Sequence, residues 1–533
     1  MSPRTTDLAD ITPPIALGPL DGRYRSVTAP LVNHLSEAAL NRARLEVEVE
    51  WLIYLTDHHV LPGAPVLSAS EKAYLRGIVE GFGAVEIAEL ASIEAVTRHD
   101  VKAVEYLLKR RLDAACAPGD GAPAPSVPPS AGPAAPHLPA PTAASAPAPD
   151  GAPAAQQTAD GAPQVPAVTA VDGGPTVLPG VHEIVHIFCT SEDVNNLAYA
   201  LTVRAAVQEI WLPAARGLVA DLAALAREHA DAAMLARTHG QSATPTTLGK
   251  ELAVLAHRLR RQVRRVEGAD YLGKINGATG TFGAHVVSVP DADWESVARG
   301  FVERLGLTWN PLTTQIESHD WQAELYSDVA RFNRIAHNLA TDAWTYISLG
   351  YFRQRLSAQG STGSSTMPHK VNPIRFENGE ANLEISCALL DTLAATLVTS
   401  RLQRDLTDST TQRNVGVALG HSLLAIDNIR RGLAGLDVDR ARLEADLDDA
   451  WEVLGEPVQQ AMRAAAVAGA RGMADPYERL KELTRGKRVT PEAMREFISG
   501  LGMPDDVEAR LLALTPAAYT GLAAHLVSHL EEE

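Results

Sequence analysis

Apolar positions recur along most of this chain at three- and four-residue steps, the spacing of an amphipathic helix. Leu40, Leu45, Val49, Leu52 and Tyr54 mark one helix over Ala38 to Asp57. Leu248, Leu252, Leu255, Leu259 and Val263 keep a single stripe for about five turns. Thr244-Pro245 before that stripe reads as an N-cap followed by proline at the first helical position. Similar patterns over 192–228, 321–356, 374–399 and 411–436 predict helices of more than 20 residues, while strand-like alternation is scarce. The expectation is an all-α fold whose centre is a bundle of long helices, with apolar faces wide enough to invite oligomerisation. After about residue 434 the helices are shorter, broken at Gly455-Glu456-Pro457, at Asp475-Pro476 and at Gly502 to Pro504.

One stretch breaks the pattern. From 116 to 178 the chain is largely Ala, Pro and Gly; 16 of the 34 prolines fall between Pro118 and Pro179, so a packed helix there is excluded. Such a segment buries too little apolar surface to offset an ordering cost of about 1–2 kcal/mol per residue, and it is expected to be disordered. Closing a loop of ~60 rather than ~6 residues costs only about 2 kcal/mol more, so the fold can carry it. The expected division is an N-terminal helical domain over 1–181 that includes this insert, a central bundle over 182–433 and a C-terminal helical cap over 434–533.

Composition narrows the function. A net charge of −18 argues against a broad nucleic-acid surface, and leaves an anionic small molecule to be held by a local basic cluster. Cys116, Cys189 and Cys387 are odd in number and far apart; they suggest no disulfide framework and favour a reducing compartment. The first residues lack the apolar core of a secretion signal, and no run approaches the roughly 18 apolar residues of a membrane span. The expected setting is the cytoplasm, with no membrane partner. His182-Glu183-Ile184-Val185-His186 matches the HExxH zinc pattern, with Glu209 as a conceivable third ligand. Among 17 histidines a five-residue pattern with three fixed positions is cheap, and no metal is expected.

The most informative stretch is a small-residue loop leading into a helix, in which Asn372 fits an N-cap and Pro373 the first helical position. Gly363-Ser364-Ser365-Thr366-Met367-Pro368-His369-Lys370-Val371-Asn372 resembles the signature loop of the fumarase/aspartase superfamily, whose members eliminate or add across a succinyl unit. His369 is similar to the branch that acts on a succinylated purine nucleotide and to carboxymuconate cycloisomerases, not to fumarases or argininosuccinate lyases. The segments Pro19 to Tyr24, Thr97 to Tyr106, Cys189 to Asp193, Arg237 to Gln241, Thr314 to Glu317 and Arg401 to Thr410 resemble the bacterial purine branch, in its order.

That resemblance implies three all-α domains, a homotetramer with active sites shared between subunits, a nucleotide substrate, and elimination of fumarate without a cofactor. It extends to the succinylated imidazole-carboxamide nucleotide that relatives also cleave. By resemblance Ser364 is the general base and His239 the general acid. A serine needs its alkoxide favoured, for which Lys370 and the following helix are local sources of positive potential; a histidine holds or releases a proton near neutral pH. The implied substrate contacts are Arg23 and Tyr24 at the phosphate, with Arg98, His99 and Asp100, the histidine near the phosphate and supporting the acid. Thr190 and Ser191 would hydrogen-bond substrate; Gln315, Lys370 and Asn372 would hold the succinyl carboxylates; Asn378, Arg404, Ser409 and Arg413 complete the set.

Overall fold

The computed structural model describes residues 18–115, 176–355, 367, 370–473, 475–484 and 489–530. Most of the Ala/Pro-rich insert expected to be disordered, together with Ser364 and His369 in the signature loop, lies outside the described residues.

Five helices form an N-terminal group: α1 (Arg25–Leu35), α2 (Glu37–Asp57), α3 (Ala69–Glu80), α4 (Ala84–Thr97) and α5 (Asp100–Ala114). Serine side chains cap α2 and α3, Ser36 accepting from the Ala39 N–H and Ser68 from that of Glu71. α2 is buried almost all round, from Leu45 to Thr56, because it lies between its neighbours and the central bundle. After the insert, α6 (Ser191–Ala205) runs through a single π turn (Ala206–Trp211) into α7 (Leu212–Glu228). Pro213 has no N–H to give the carbonyl of Glu209, and a π turn absorbs the missing bond.

The bundle continues with α8 (Leu248–Glu267), the shorter α9 (Gly283–Ser288) and α10 (Trp294–Arg304), α11 (Asp320–Ser348), α12 (Ile374–Leu397), α13 (Thr407–Gln412) and α14 (Val415–Ala434). α7, α8, α11, α12 and α14 pack in that order into a ring, α14 closing on α7. Their buried residues line one continuous apolar core, which also takes in the N-terminal helices. Gly249 lets α8 start against the end of α7: a Cβ there would lie 2.3 Å from the Ala226 carbonyl oxygen. The C-terminal helices are α15 (Arg440–Asp448), α16 (Gly455–Val467), α17 (Pro476–Thr484), α18 (Pro491–Ser499), α19 (Asp505–Leu512) and α20 (Ala523–Leu526), of which α16, α17 and α19 start where the sequence punctuation lies. α16 to α19 contribute to a second core around Val458, Met462, Met494 and Ile498, whereas Val527 and Leu530 return to the main one.

Two expected caps are displaced. Thr246 and Thr247 pair with Met234 and Ala233 in a two-stranded ladder, so α8 begins at Leu248 with Thr247, not Thr244, accepting from the Lys250 N–H. α12 begins at Ile374; Pro373 stands at the cap position and the Asn372 side chain makes no cap bond. The helix expected to run to 356 stops at Ser348: Gly350 has φ +77°, and Phe352–Gln354 instead pairs with Leu436–Val438. Among the described residues no single helix is long and apolar enough to cross a membrane.

Candidate active site

The expected site residues gather in two groups and a bridge. The first group lies at the end of the bundle where α6, α11 and α14 begin. Thr190 is the N-cap of α6, its N–H donating to Asp193 Oδ2 at 2.8 Å. Asp193 is fully buried and also accepts from Lys274 Nζ at 2.8 Å, from the Asn276 N–H at 3.0 Å and from the Gly277 N–H at 3.1 Å. One carboxylate thus fixes the Thr190-Ser191 corner against the 274–277 segment.

Ser191 Oγ lies 3.4 Å from His99 Nε2. His99 caps α5: its Nδ1 accepts from the Lys102 N–H, which leaves the proton of the neutral ring on Nε2, facing Ser191. Asp100 joins Arg44 at 2.8 Å and Arg413 at 3.4 Å. Burial works against its charge, but Arg44, the Val101 N–H and Arg413 outweigh that and hold the carboxyl below its ordinary range. Arg98 ends α4 with φ 51° and an exposed side chain.

Gln315 donates to the Ala278 carbonyl at 2.9 Å and lies 3.5 Å from Arg404 Nη1. Arg404 Nη2 sits 3.0 Å from Glu192, whose carboxyl is pushed up by burial and drawn back by that guanidinium. The Ser409 N–H donates to Asp408. Arg413 is half-exposed beside Glu37.

The second group lies at the opposite end. His239 and Gly240 form the two-residue turn of a hairpin pairing Arg237 with Ser242 and Thr238 with Gln241. Both have positive φ, 53° and 75°, as a type I′ turn requires. The His239 ring is exposed and makes no hydrogen bond among the described residues. The hairpin is anchored through Arg237, which donates to Tyr351 Oη at 2.6 Å and Asp446 Oδ2 at 2.7 Å. Tyr351 follows the end of α11, where the signature loop departs; Gln354 donates to the Val371 carbonyl across its base. Lys370 and Asn372 are exposed at this end.

Between the ends, Asn378 donates to Tyr24 Oη at 3.1 Å. Asn378 is itself held by Asn382, and Asn382 by the buried His421. Arg23 beside Tyr24 is exposed.

The two groups do not meet in one chain. α11 has 29 residues, and at ~1.5 Å each it separates Gln315 at its start from Tyr351 past its end by about 40 Å. Gln315 and the hairpin histidine therefore lie at different ends of a single chain.

The HExxH segment does not take the helical geometry that the zinc pattern needs. Leu178–Ile184 is a 3₁₀ turn, and His186 has a left-handed backbone (φ 62°), so the two imidazoles do not share an α-helical face. His186 Nδ1 lies 2.5 Å from Glu48, with Glu105 3.6 Å from Nε2; Glu209 pairs instead with His34. Among the described residues Glu192, His319 and Asp408 have ligand-type atoms within 4.8 Å of one another. Arg404 already neutralises Glu192 there, and a cation would be forced against the guanidinium.

The sequence reading did not single out Lys274, Asn276, His319 or Asp408, which brace this site. The partners that hold Lys274 to Asp193 and Asn196, and His319 to Asp408, lie 78 or more residues apart in sequence, and no local spacing marks them.

A ring of long helices with polar loops at both ends and catalytic-type side chains on those loops is the build of a fumarate-lyase-type enzyme. The solved fold agrees: fumarate lyase from Mesorhizobium sp. BNC1 superposes with TM-score 0.66 at 18% identity, covering 95% of this chain and 98% of that one. 3-Carboxy-cis,cis-muconate lactonizing enzyme from Pseudomonas putida gives 0.61 at 19%, covering 94% and 95%. A family model described as "Lyase" matches residues 167–385, and one described as "Adenylosuccinate lyase C-terminal" matches 400–520. Adenylosuccinate lyase from Escherichia coli K12 is 42% identical over 516 residues, covering 97% of this chain and 98% of the relative. The Haemophilus influenzae protein of the same name is 42% identical over 515 residues, with the same coverage. This chain is a lyase and belongs to the adenylosuccinate lyase family.

Proposed function

We propose that the chain eliminates fumarate from adenylosuccinate to leave AMP, and performs the same elimination on the succinylated imidazole-carboxamide nucleotide, in the cytoplasm. Ser364 Oγ, as alkoxide, takes the proton from the carbon beside the succinyl carboxylate. The C–N bond breaks as the C=C bond of fumarate forms, and His239 gives its proton to the departing nitrogen. Lys370, Asn372 and Gln315 hold the carboxylates whose negative charge grows as the proton leaves. Arg23, Tyr24, His99, Ser409 and Arg413 hold the phosphate end, with Thr190, Ser191, Asn378 and Arg404 completing the grip.

The observation that carries this reading is the exposed His239 ring, presented on a rigid two-residue turn with no hydrogen bond spent among the described residues, in a chain alike to adenylosuccinate lyases over nearly its whole length. The ~40 Å between the two groups supports a homotetramer in which one subunit's hairpin faces another's Gln315 end. The free thiols of Cys189 and Cys387 fit a reducing compartment. Fumarate release from adenylosuccinate, followed by ultraviolet absorbance, tests the reading. The wild type turns over, while Ser364→Ala and His239→Gln each lose most of their kcat. Undiminished turnover in both variants would remove the assigned roles.

A further inference from the structure

His319 takes no part in the reaction as proposed above, yet its environment is built with care. It lies four residues after Gln315 and ends that loop at the N-terminus of α11 with a left-handed backbone, φ 61°. Its side chain is almost wholly buried. Its N–H donates to Glu317 Oε2 at 2.9 Å, and Glu317 in turn accepts from Asn310. Its Nε2 faces Asp408 Oδ2 at 3.3 Å, with the Gln412 amide 3.5 Å from the same nitrogen. Asp408 uses its other oxygen to accept the Ser409 N–H at 2.7 Å.

One buried imidazole therefore joins two loops that, among the described residues, are otherwise tied at their rim. Thr314 Oγ1 donates to the Gln403 carbonyl, and Arg404 reaches Gln315 at a long 3.5 Å. On the far side of the His319–Asp408 pair, α13 carries Ser409 and leads directly to Arg413, which meets Asp100 next to His99.

We propose that His319, acting through Asp408, is a positioning residue for the arm from Arg404 to Arg413. It sets the placement of Ser409 and Arg413 and so the grip on the phosphate end of the nucleotide, away from the bond that breaks. This rests on the functional reading above. A contact to a non-reacting part of the substrate that is equally strong in ground and transition states changes KM and leaves kcat alone.

The test is steady-state kinetics on adenylosuccinate, with AMP inhibition measured alongside, for His319→Phe, His319→Gln and Asp408→Asn. Phe fills the space and removes the hydrogen bond; a glutamine amide reaches about as far as Nε2 and restores it. Loss of one charge-assisted bond predicts KM and the AMP inhibition constant both rising roughly 10- to 100-fold in His319→Phe, with kcat changed by less than about threefold. His319→Gln recovers most of that loss. Asp408→Asn, which keeps the Ser409 contact and can donate to a re-tautomerised ring, stays within about tenfold of wild type and gives a readout even where His319→Phe fails to fold. A fall in kcat with KM unchanged, or a glutamine variant no better than phenylalanine, would overturn the assignment. Absence of wild-type turnover in the same assay would instead strike the functional reading.

Discussion

Lys274 and Asp193 are both completely buried, 2.8 Å apart, and they pin the Thr190 corner to the 274–277 segment. Lys274→Met removes the charge while keeping most of the volume. Breaking a buried pair from one side costs about 3–5 kcal/mol. Asp193 keeps three backbone N–H donors, so the loss falls at the low end, about 3 kcal/mol. Asp193→Asn is worse. It leaves the buried Lys274 ammonium without an anion, with only a neutral amide oxygen at position 193 and the Gly277 carbonyl, 3.4 Å away, to accept from it among the described residues. It also turns an amide NH₂ toward backbone N–H groups, so the loss is about 5 kcal/mol or more. The double variant is less destabilised than the sum of the two, by at least about 1.5 kcal/mol, because neither charge is left alone. Urea unfolding gives the global figures, and amide hydrogen exchange over 186–193 and 272–282 shows whether the loss is local to this joint. A Lys274→Met variant within 1 kcal/mol of wild type (about one ordinary hydrogen bond), or an Asp193→Asn variant milder than it, would refute the reasoning.

Two further outcomes follow from the same kind of argument. Burial opposes charge on His186, but the Glu48 carboxylate outweighs it and raises the pKa above its ordinary value. A raised histidine contributes stability that is fully present below about pH 6.5 and lost as pH climbs through the folded-state value. The stability gap between wild type and His186→Asn should therefore narrow from pH 6 to pH 9, and a gap that widened would contradict the assignment. Gly249→Ala puts a Cβ 2.3 Å from the Ala226 carbonyl oxygen, a backbone atom that cannot swing away. It should cost about 3 kcal/mol in urea unfolding, the upper part of the range for overpacking, whereas Gly180→Ala, with open space around it, serves as the neutral control.

Long helices were legible because their cause is local. The stripe from Leu248 to Val263 survives intact as the buried face of α8, and the breaks at Pro476 and Pro504 fall where α17 and α19 begin. The errors came where tertiary pairing overrode a local rule. Thr244-Pro245 has cap chemistry, yet the ladder with Ala233 and Met234 delays the helix to Leu248. Tyr351 to Gln354 continues an apolar pattern, yet pairing with Leu436 to Val438 makes it a strand. His182 and His186 have helical spacing on paper, but His182 sits in a 3₁₀ turn that ends at Ile184 and His186 has a left-handed backbone. Of the expected contacts, Gln315, Arg404, Ser409, Arg413, His99, Asp100, Thr190 and Ser191 gather at one end, a grouping visible in sequence only through resemblance. The braces behind them, Lys274 with Asp193 and His319 with Asp408, join residues 81 and 89 positions apart, too far for any spacing rule to reveal.

Mixing two inactive variants puts the account to its most direct trial. His239→Gln disables the hairpin end by removing the acid, and His99→Ala, assayed at substrate far below its raised KM, disables the other through the lost phosphate grip. If each site draws these histidines from different subunits, co-refolding equal amounts restores about a quarter of the wild-type activity, since that share of sites receives both native residues. Were both histidines of a site supplied by one chain, every hybrid site would stay defective. A mixture no more active than its two components would contradict the shared site.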